Sequence, residues 1–122
     1  MLVEDEPSIH TAMKNVLERK GCEVFIAVNA DQAWEIFQKE TPVACSIDLH
    51  LGHSRLDGLG LLKQIKEANK DTLCLIFSVV VEDSEKKQAK DLGADYIFLK
   101  PPVNEEYQAI IEILAGTYKG EE

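Results

Sequence analysis

The 122-residue sequence contains no long apolar run. A bilayer-spanning helix needs about 20 such residues in succession, so the sequence offers no helical membrane span. Basic charge is scarce as well. Thirteen Lys and Arg face 22 Asp and Glu, for a formal charge of −9. A surface this acidic repels phosphate backbones and anionic lipid, which argues against stand-alone binding to nucleic acid or membrane. Cysteine is sparse: Cys22, Cys45 and Cys74 are odd in number and lack metal-ligand spacing. This excludes a disulfide scaffold and a thiolate zinc site, and it fits a reducing cytoplasm. Cys45 and Cys74 lie in strand-like segments and read as small core residues. There is no secretory signal pattern, because Met1-Leu2-Val3 runs directly into three acids. Internal repeats and low-complexity segments are also missing.

What is present suffices for one domain. Hydrophobic residues make up 45% of the chain, enough for a single core at this length. Strand-like and helix-like patterns alternate five times. Leu2-Val3 reads as the end of a first strand. Pro7 suits a first helical turn, and Ile9, Ala12, Met13, Val16 and Leu17 recur at helical spacing up to Gly21. Residues 23–27 read as a second strand. Asn29 or Asp31 can cap a helix with Ala30, Ala33, Trp34 and Phe37 on its apolar face. Residues 43–49 form a third strand after Pro42. A loop with Gly52 and Gly58 leads to a helix bearing Leu59, Leu62, Ile65 and Lys66. Leu73 to Ser78 is nearly unbroken apolar sequence, as in a strand covered on both faces. Ser84 can cap a short polar helix that stops at Gly93. Residues 96–99 form a fifth strand, and Val103, Tyr107, Ile110, Ile111 and Leu114 mark a last helix. This alternation predicts an α/β fold: one parallel sheet with right-handed crossovers and helices on both faces. A central strand has about five residues. The first strand has only Leu2-Val3, which suggests that upstream residues are missing.

Asp48 closes the third strand, an odd place for a carboxylate. Strand C-terminal ends are where ligand crevices form in open α/β sheets. Three other strand ends carry polar groups: Glu4-Asp5, Ser78 and Lys100. Each has an ordinary explanation when taken alone. The acids before Pro7 suit a helix N-terminus, Asp48 could be solvated at a loop start, Ser78 could be a structural hydroxyl, and Lys100 could be a surface lysine. Their conjunction on one sheet edge is what carries weight. Two carboxylates about 5 Å apart repel by about 3 kcal/mol at an effective dielectric of about 20. Lys100 supplies one counter-charge, and a hard divalent cation is the natural second. An acid so placed could act as a nucleophile toward phosphorus. His10, His50 and His53 match no strong ligand motif and read as loop or surface residues.

With these residues in hand, the chain resembles a response-regulator receiver domain, the chemotaxis-regulator type of flavodoxin-like fold. The resemblance is carried by Val3-Glu4-Asp5-Glu6-Pro7, the strand ending at Asp48, Asp57-Gly58, Ser78, Gly93-Ala94-Asp95 and Lys100-Pro101. It implies a doubly wound five-stranded sheet of order 2-1-3-4-5. It implies a receiver domain over residues 1–118, with 119–122 as a tail or the start of a linker. Asp48 would accept a phosphoryl group from a histidine kinase or phosphotransfer domain. Asp5 would bind Mg²⁺ (or Mn²⁺) directly and Glu4 mainly through water. Asp48 and the backbone carbonyl of His50 would complete the metal ligands. Ser78 would follow the phosphoryl group as the switch, and Lys100 would pair with a phosphoryl oxygen. The bond before Pro101 would be cis, which an X-Pro bond permits. The result would be a cytoplasmic signalling switch rather than a turnover enzyme, passing its state to an output domain or effector. Ile97 and Tyr107 could lie on a homodimer face or only fill the core.

Some positions depart from the family pattern. Val79 follows the switch hydroxyl where Ala is common, which crowds the route to the phosphoryl group. Ile97 stands where an aromatic is common, and Tyr96 points the other way by strand alternation. The loop 51–56 is about two residues longer than usual and lacks the usual proline. Val79 and Ile97 support an alternative reading, a non-phosphorylated receiver-like interaction module. A third, a metal-dependent phosphohydrolase, would want an acid two residues after Asp48, where this chain has His50.

Overall fold

The computed structural model describes residues 1–51 and 57–119. The calls on Gly52, His53, the longer loop and the last three residues lie outside them. Ten elements alternate along the chain. The strands are Leu2–Val3 (β1), Ile26–Ala27 (β2), Ala44–Ile47 (β3), Leu73–Ser78 (β4) and Tyr96–Leu99 (β5). The helices are Pro7–Arg19 (α1), Ala30–Glu40 (α2), Gly58–Ala68 (α3), Asp83–Asp91 (α4) and Asn104–Ala115 (α5). The strands form one parallel sheet in the order β2-β1-β3-β4-β5, as the resemblance implied.

Strand alternation sorts the core into two layers. Val3, Cys45, Ile47, Cys74 and Ile76 meet Ala33 and Phe37 of α2, Leu61, Leu62 and Ile65 of α3, and Ala89 of α4. Leu2, Leu75 and Phe77 meet Met13 and Leu17 of α1 and Ile110, Ile111 and Ile113 of α5. Ile97 packs with the first layer and Tyr96 with the second, so the two point to opposite faces as alternation requires. Cys45 and Cys74 are register partners on β3 and β4, fully buried, and both are free thiols. Among the described residues no helix is long and apolar enough to cross a membrane.

Several element ends differ from the sequence reading. β2 is confined to Ile26–Ala27, and β3 loses both ends of the expected 43–49 run. Val43 is 83% exposed; it lies outside the two layers that would have held it in a strand. Asn29, not Asp31, caps α2, its side chain accepting from the Gln32 N–H. Ser84 lies inside α4. The Glu82 backbone begins that helix, with its N–H donating to Glu85 Oε1 at 3.0 Å. Val103 precedes α5 as its cap residue and is exposed. In α3 the sequence reading overlooked Leu61, which is fully buried.

Candidate functional site

The parallel sheet directs the ends of β1, β3, β4 and β5 to one edge. Glu4 follows β1, Asp48 follows β3, Ser78 ends β4 and Lys100 follows β5. The backbone holds them in place: Glu4 N–H donates to Ala27 O, Asp48 N–H to Val3 O and Lys100 N–H to Ser78 O. Gly58, the first residue of α3, lets that helix press against the Asp48-Leu49 backbone. A Cβ there would sit 2.5 Å from the Asp48 carbonyl oxygen and 2.6 Å from Leu49 Cα. Only glycine fits such an approach. The Lys100-Pro101 bond is cis, as implied.

The four side chains meet. Lys100 Nζ donates to Glu4 Oε1 at 2.6 Å and to Asp48 Oδ2 at 3.0 Å. The ammonium also lies 5.2 Å from the centroid of the Phe77 ring, a favourable cation–π placement. Ser78 Oγ donates to Asp48 Oδ1 at 2.9 Å, and the His50 N–H donates to the same oxygen at 3.0 Å. Glu4, Asp48 and Ser78 are buried, while Asp5 is exposed. Candidate ligand oxygens of Glu4, Asp5 and Asp48 all lie within 4.8 Å of one another.

The charges do not balance. Three carboxylates share one ammonium, and each carboxylate pair repels by about 3 kcal/mol at an effective dielectric of about 20. The cost falls unequally. Burial opposes charge on Asp48, but the His50 N–H and the contacts with Glu4 and Lys100 outweigh it, holding its pKa below the ordinary value. Burial pushes Glu4 up to about 7, against the pull of Lys100 and with the Asp48 charge adding to the rise. Burial also opposes charge on Lys100, yet hydrogen bonds to Glu4 and Asp48 raise its pKa. Glu4 Oε2 is buried without a hydrogen-bond partner. An orphaned carboxylate oxygen beside two more acids is a donor set that a hard divalent cation fits.

The sequence reading thus brings together Glu4, Asp5, Asp48, Ser78 and Lys100. His50 reaches the site through its N–H. Three contributors were missed: the Phe77 ring, the close approach at Gly58 and the His50 side chain. A glycine at the first position of a helix, where a Cβ is normally harmless, was the available signal for the second. Val79, next after Ser78, is exposed.

Comparisons with known proteins bear on the family and the fold. The family model described as "Response regulator receiver domain" matches residues 1–112. Sporulation initiation phosphotransferase F of Bacillus subtilis is 29% identical over 101 residues, covering 83% of this chain and 80% of that protein. The receiver domain of NtrX from Brucella abortus superposes with a TM-score of 0.81 at 28% identity, covering 95% of this chain and 97% of that one. A Burkholderia pseudomallei response regulator, solved with a phosphorylated aspartic acid, calcium ion and citrate, gives a TM-score of 0.80 at 27% identity, covering 94% of this chain and 66% of that one. Other curated relatives are longer transcriptional regulators; the chain spans 47% of one and 50% of another. The chain belongs to the response-regulator receiver family.

Proposed function

We propose that this receiver domain, taken as residues 1–118, is a phosphorylatable switch whose acceptor is Asp48. The observation that carries the reading is the set of donors on one ionised carboxylate: Lys100 on Oδ2, with Ser78 and the His50 N–H on Oδ1. The Burkholderia relative, solved with a phosphorylated aspartic acid and a calcium ion, supports it. The donor would be a phosphohistidine on a histidine kinase or phosphotransfer domain. An Asp48 oxygen attacks phosphorus, the P–N bond breaks, and the imidazole leaves with its electron pair. Lys100 transfers its donation from Asp48 Oδ2 to a phosphoryl oxygen, stabilising charge where it develops. Ser78 transfers its O–H from Asp48 Oδ1 to another phosphoryl oxygen. Glu4, Asp5, Asp48 and the His50 carbonyl would hold Mg²⁺ (or Mn²⁺), which when bound neutralises charge on the transferring group.

The output follows from the added charge. A near-dianion that recruits Ser78 and Lys100 biases the segment after β4 and the neighbouring helix. The receiver would then act on an output domain or effector, in a cytoplasm whose reducing conditions suit three free thiols. No substrate is turned over, and the only chemistry is the domain's own phosphoryl transfer and hydrolysis.

Beryllofluoride with Mg²⁺, a phosphoryl mimic, tests the reading. Amide resonances around Ser78 and Lys100 should shift in the wild type and stay unchanged in Asp48→Asn. Phosphoryl uptake from a small acyl phosphate should vanish in that variant. Shifts that persist in Asp48→Asn would refute the assignment. Val79 and Ile97 favour the second reading, an interaction module that is never phosphorylated; it predicts no Mg²⁺ binding in a titration.

A further inference from the structure

His50 touches both Asp48 and the start of α4. The His50 N–H donates to Asp48 Oδ1 at 3.0 Å. Its ring Nε2 lies 3.0 Å from the Val80 carbonyl oxygen and 3.6 Å from Glu85 Oε2. A carbonyl only accepts, so Nε2 carries the proton in the first contact. One residue therefore touches the acceptor carboxylate with its main chain, and both the β4–α4 link and the first turn of α4 with its ring. Apart from the Glu82 N–H bond to Glu85 Oε1, the link, residues 79–82, has little else to hold it. Val79 and Val80 are 64% and 53% exposed, and only Val81 packs against the core.

This contact matters because the aromatic that the family resemblance leads one to expect near the end of β5 is replaced by Ile97. Ile97 packs into the layer with α2, α3 and α4. Tyr96 faces the other layer, stacked on Phe98 at 6.3 Å and edge-on to Tyr118 at 6.0 Å. Neither is an aromatic placed between the acceptor site and α4. The His50 ring occupies that connection instead.

We propose that His50 is a positioning residue that couples Asp48 to the β4–α4 link and α4. In the unmodified protein it tethers the link. When Asp48 Oδ1 changes its partners, the shift in the His50 main chain carries the ring, and with it Val80 and Glu85. The tether is a property of the resting protein, whereas the coupling rests on the switch reading above.

The test has two arms. In the resting protein, amide hydrogen exchange over residues 79–82 should be about fivefold faster in His50→Ala, the scale of one lost hydrogen bond. β3 and β4 should exchange as in the wild type, and His50→Gln, whose amide N–H can reach the same carbonyl, should restore the link. With saturating beryllofluoride and Mg²⁺, the shifts at Val80 and Glu85, taken relative to those at Ser78 and Lys100 of the same sample, should shrink at least threefold in His50→Ala. His50→Gln should recover them. Unchanged link exchange in His50→Ala overturns the tether, and undiminished α4 shifts overturn the coupling. Absence of any shift at Ser78 and Lys100 in the wild type would instead refute the switch reading, leaving the exchange arm to judge the tether.

Discussion

Two lysines at opposite edges of the sheet show how a saturated charge cluster differs from an unsaturated one. Lys66, in the last turn of α3, donates to Thr72 O at 2.6 Å, Asp95 Oδ2 at 3.0 Å and Lys70 O at 3.3 Å. Asp95 Oδ2 also accepts the Cys74 N–H at 2.9 Å. The three protons of this ammonium have three acceptors, and one positive charge meets one negative. Lys100 meets two carboxylates and a ring, with a third acid within ligand distance of both and one buried oxygen left without a partner. The first cluster is saturated and ties α3 to the starts of β4 and β5. The second is unsaturated and net negative, a state that folding alone would not favour and that a divalent cation would relieve.

The largest test of this contrast is Lys100→Met. It should lower the rate of phosphoryl uptake by about 10²–10³-fold, the scale of removing one preorganised charge from a transition state. Single-turnover transfer to Asp48 measures it; a rate within threefold of wild type would erase the distinction. Lys66→Met should do the opposite. Uptake should stay near wild type, while urea unfolding shows a loss of about 2 kcal/mol, as the buried Thr72 carbonyl and the Asp95 carboxylate lose their donor. The figure is modest because Asp95 is partly exposed and screened by water.

A subtler effect is the pH dependence of the unsaturated site. Glu4, with its pKa raised from 4.5 to about 7 in the fold, binds a proton more tightly folded than unfolded. In metal-free protein its contribution to stability is complete below pH 4.5. It falls away as pH rises to about 7, by on the order of 3 kcal/mol. Asp48 acts with the opposite sign at lower pH. Its depressed pKa contributes stability above its ordinary value of 3.8, lost as pH falls below that. Mg²⁺ must displace the Glu4 proton, so its affinity should climb between pH 4.5 and 7 and level off above. Urea titrations with and without Mg²⁺ check both slopes. An apparent Mg²⁺ affinity flat from pH 5 to 7 would show that Glu4 takes no part.

Much of this was legible in the chain. The unbroken Leu73–Ser78 run marked a strand covered on both faces, and Asn29 was a recognisable cap. The polar residues at four apolar strand ends pointed to one crowded edge. Lys66 was read only as part of a helix face, and its long stem does turn inward, with the side chain 13% exposed. The Asp95 contact was not readable, because nothing local to either residue announces a partner 29 positions away. The ends of β2 and β3 were overextended, since apolar sequence continues past the point where neighbouring strands stop pairing.

The sequence by itself determined which elements form and which chemical groups stand at their ends, because helical period, strand alternation and capping act over a few residues. Tertiary structure alone decided who meets whom. It set Lys100 on Glu4 across 96 positions and on the Phe77 ring, placed Gly58 against the Asp48 backbone, and turned the His50 ring onto Val80. Those contacts depend on sheet order and on how closely α3 approaches β3. These are properties of the packed whole, and no local pattern encodes them.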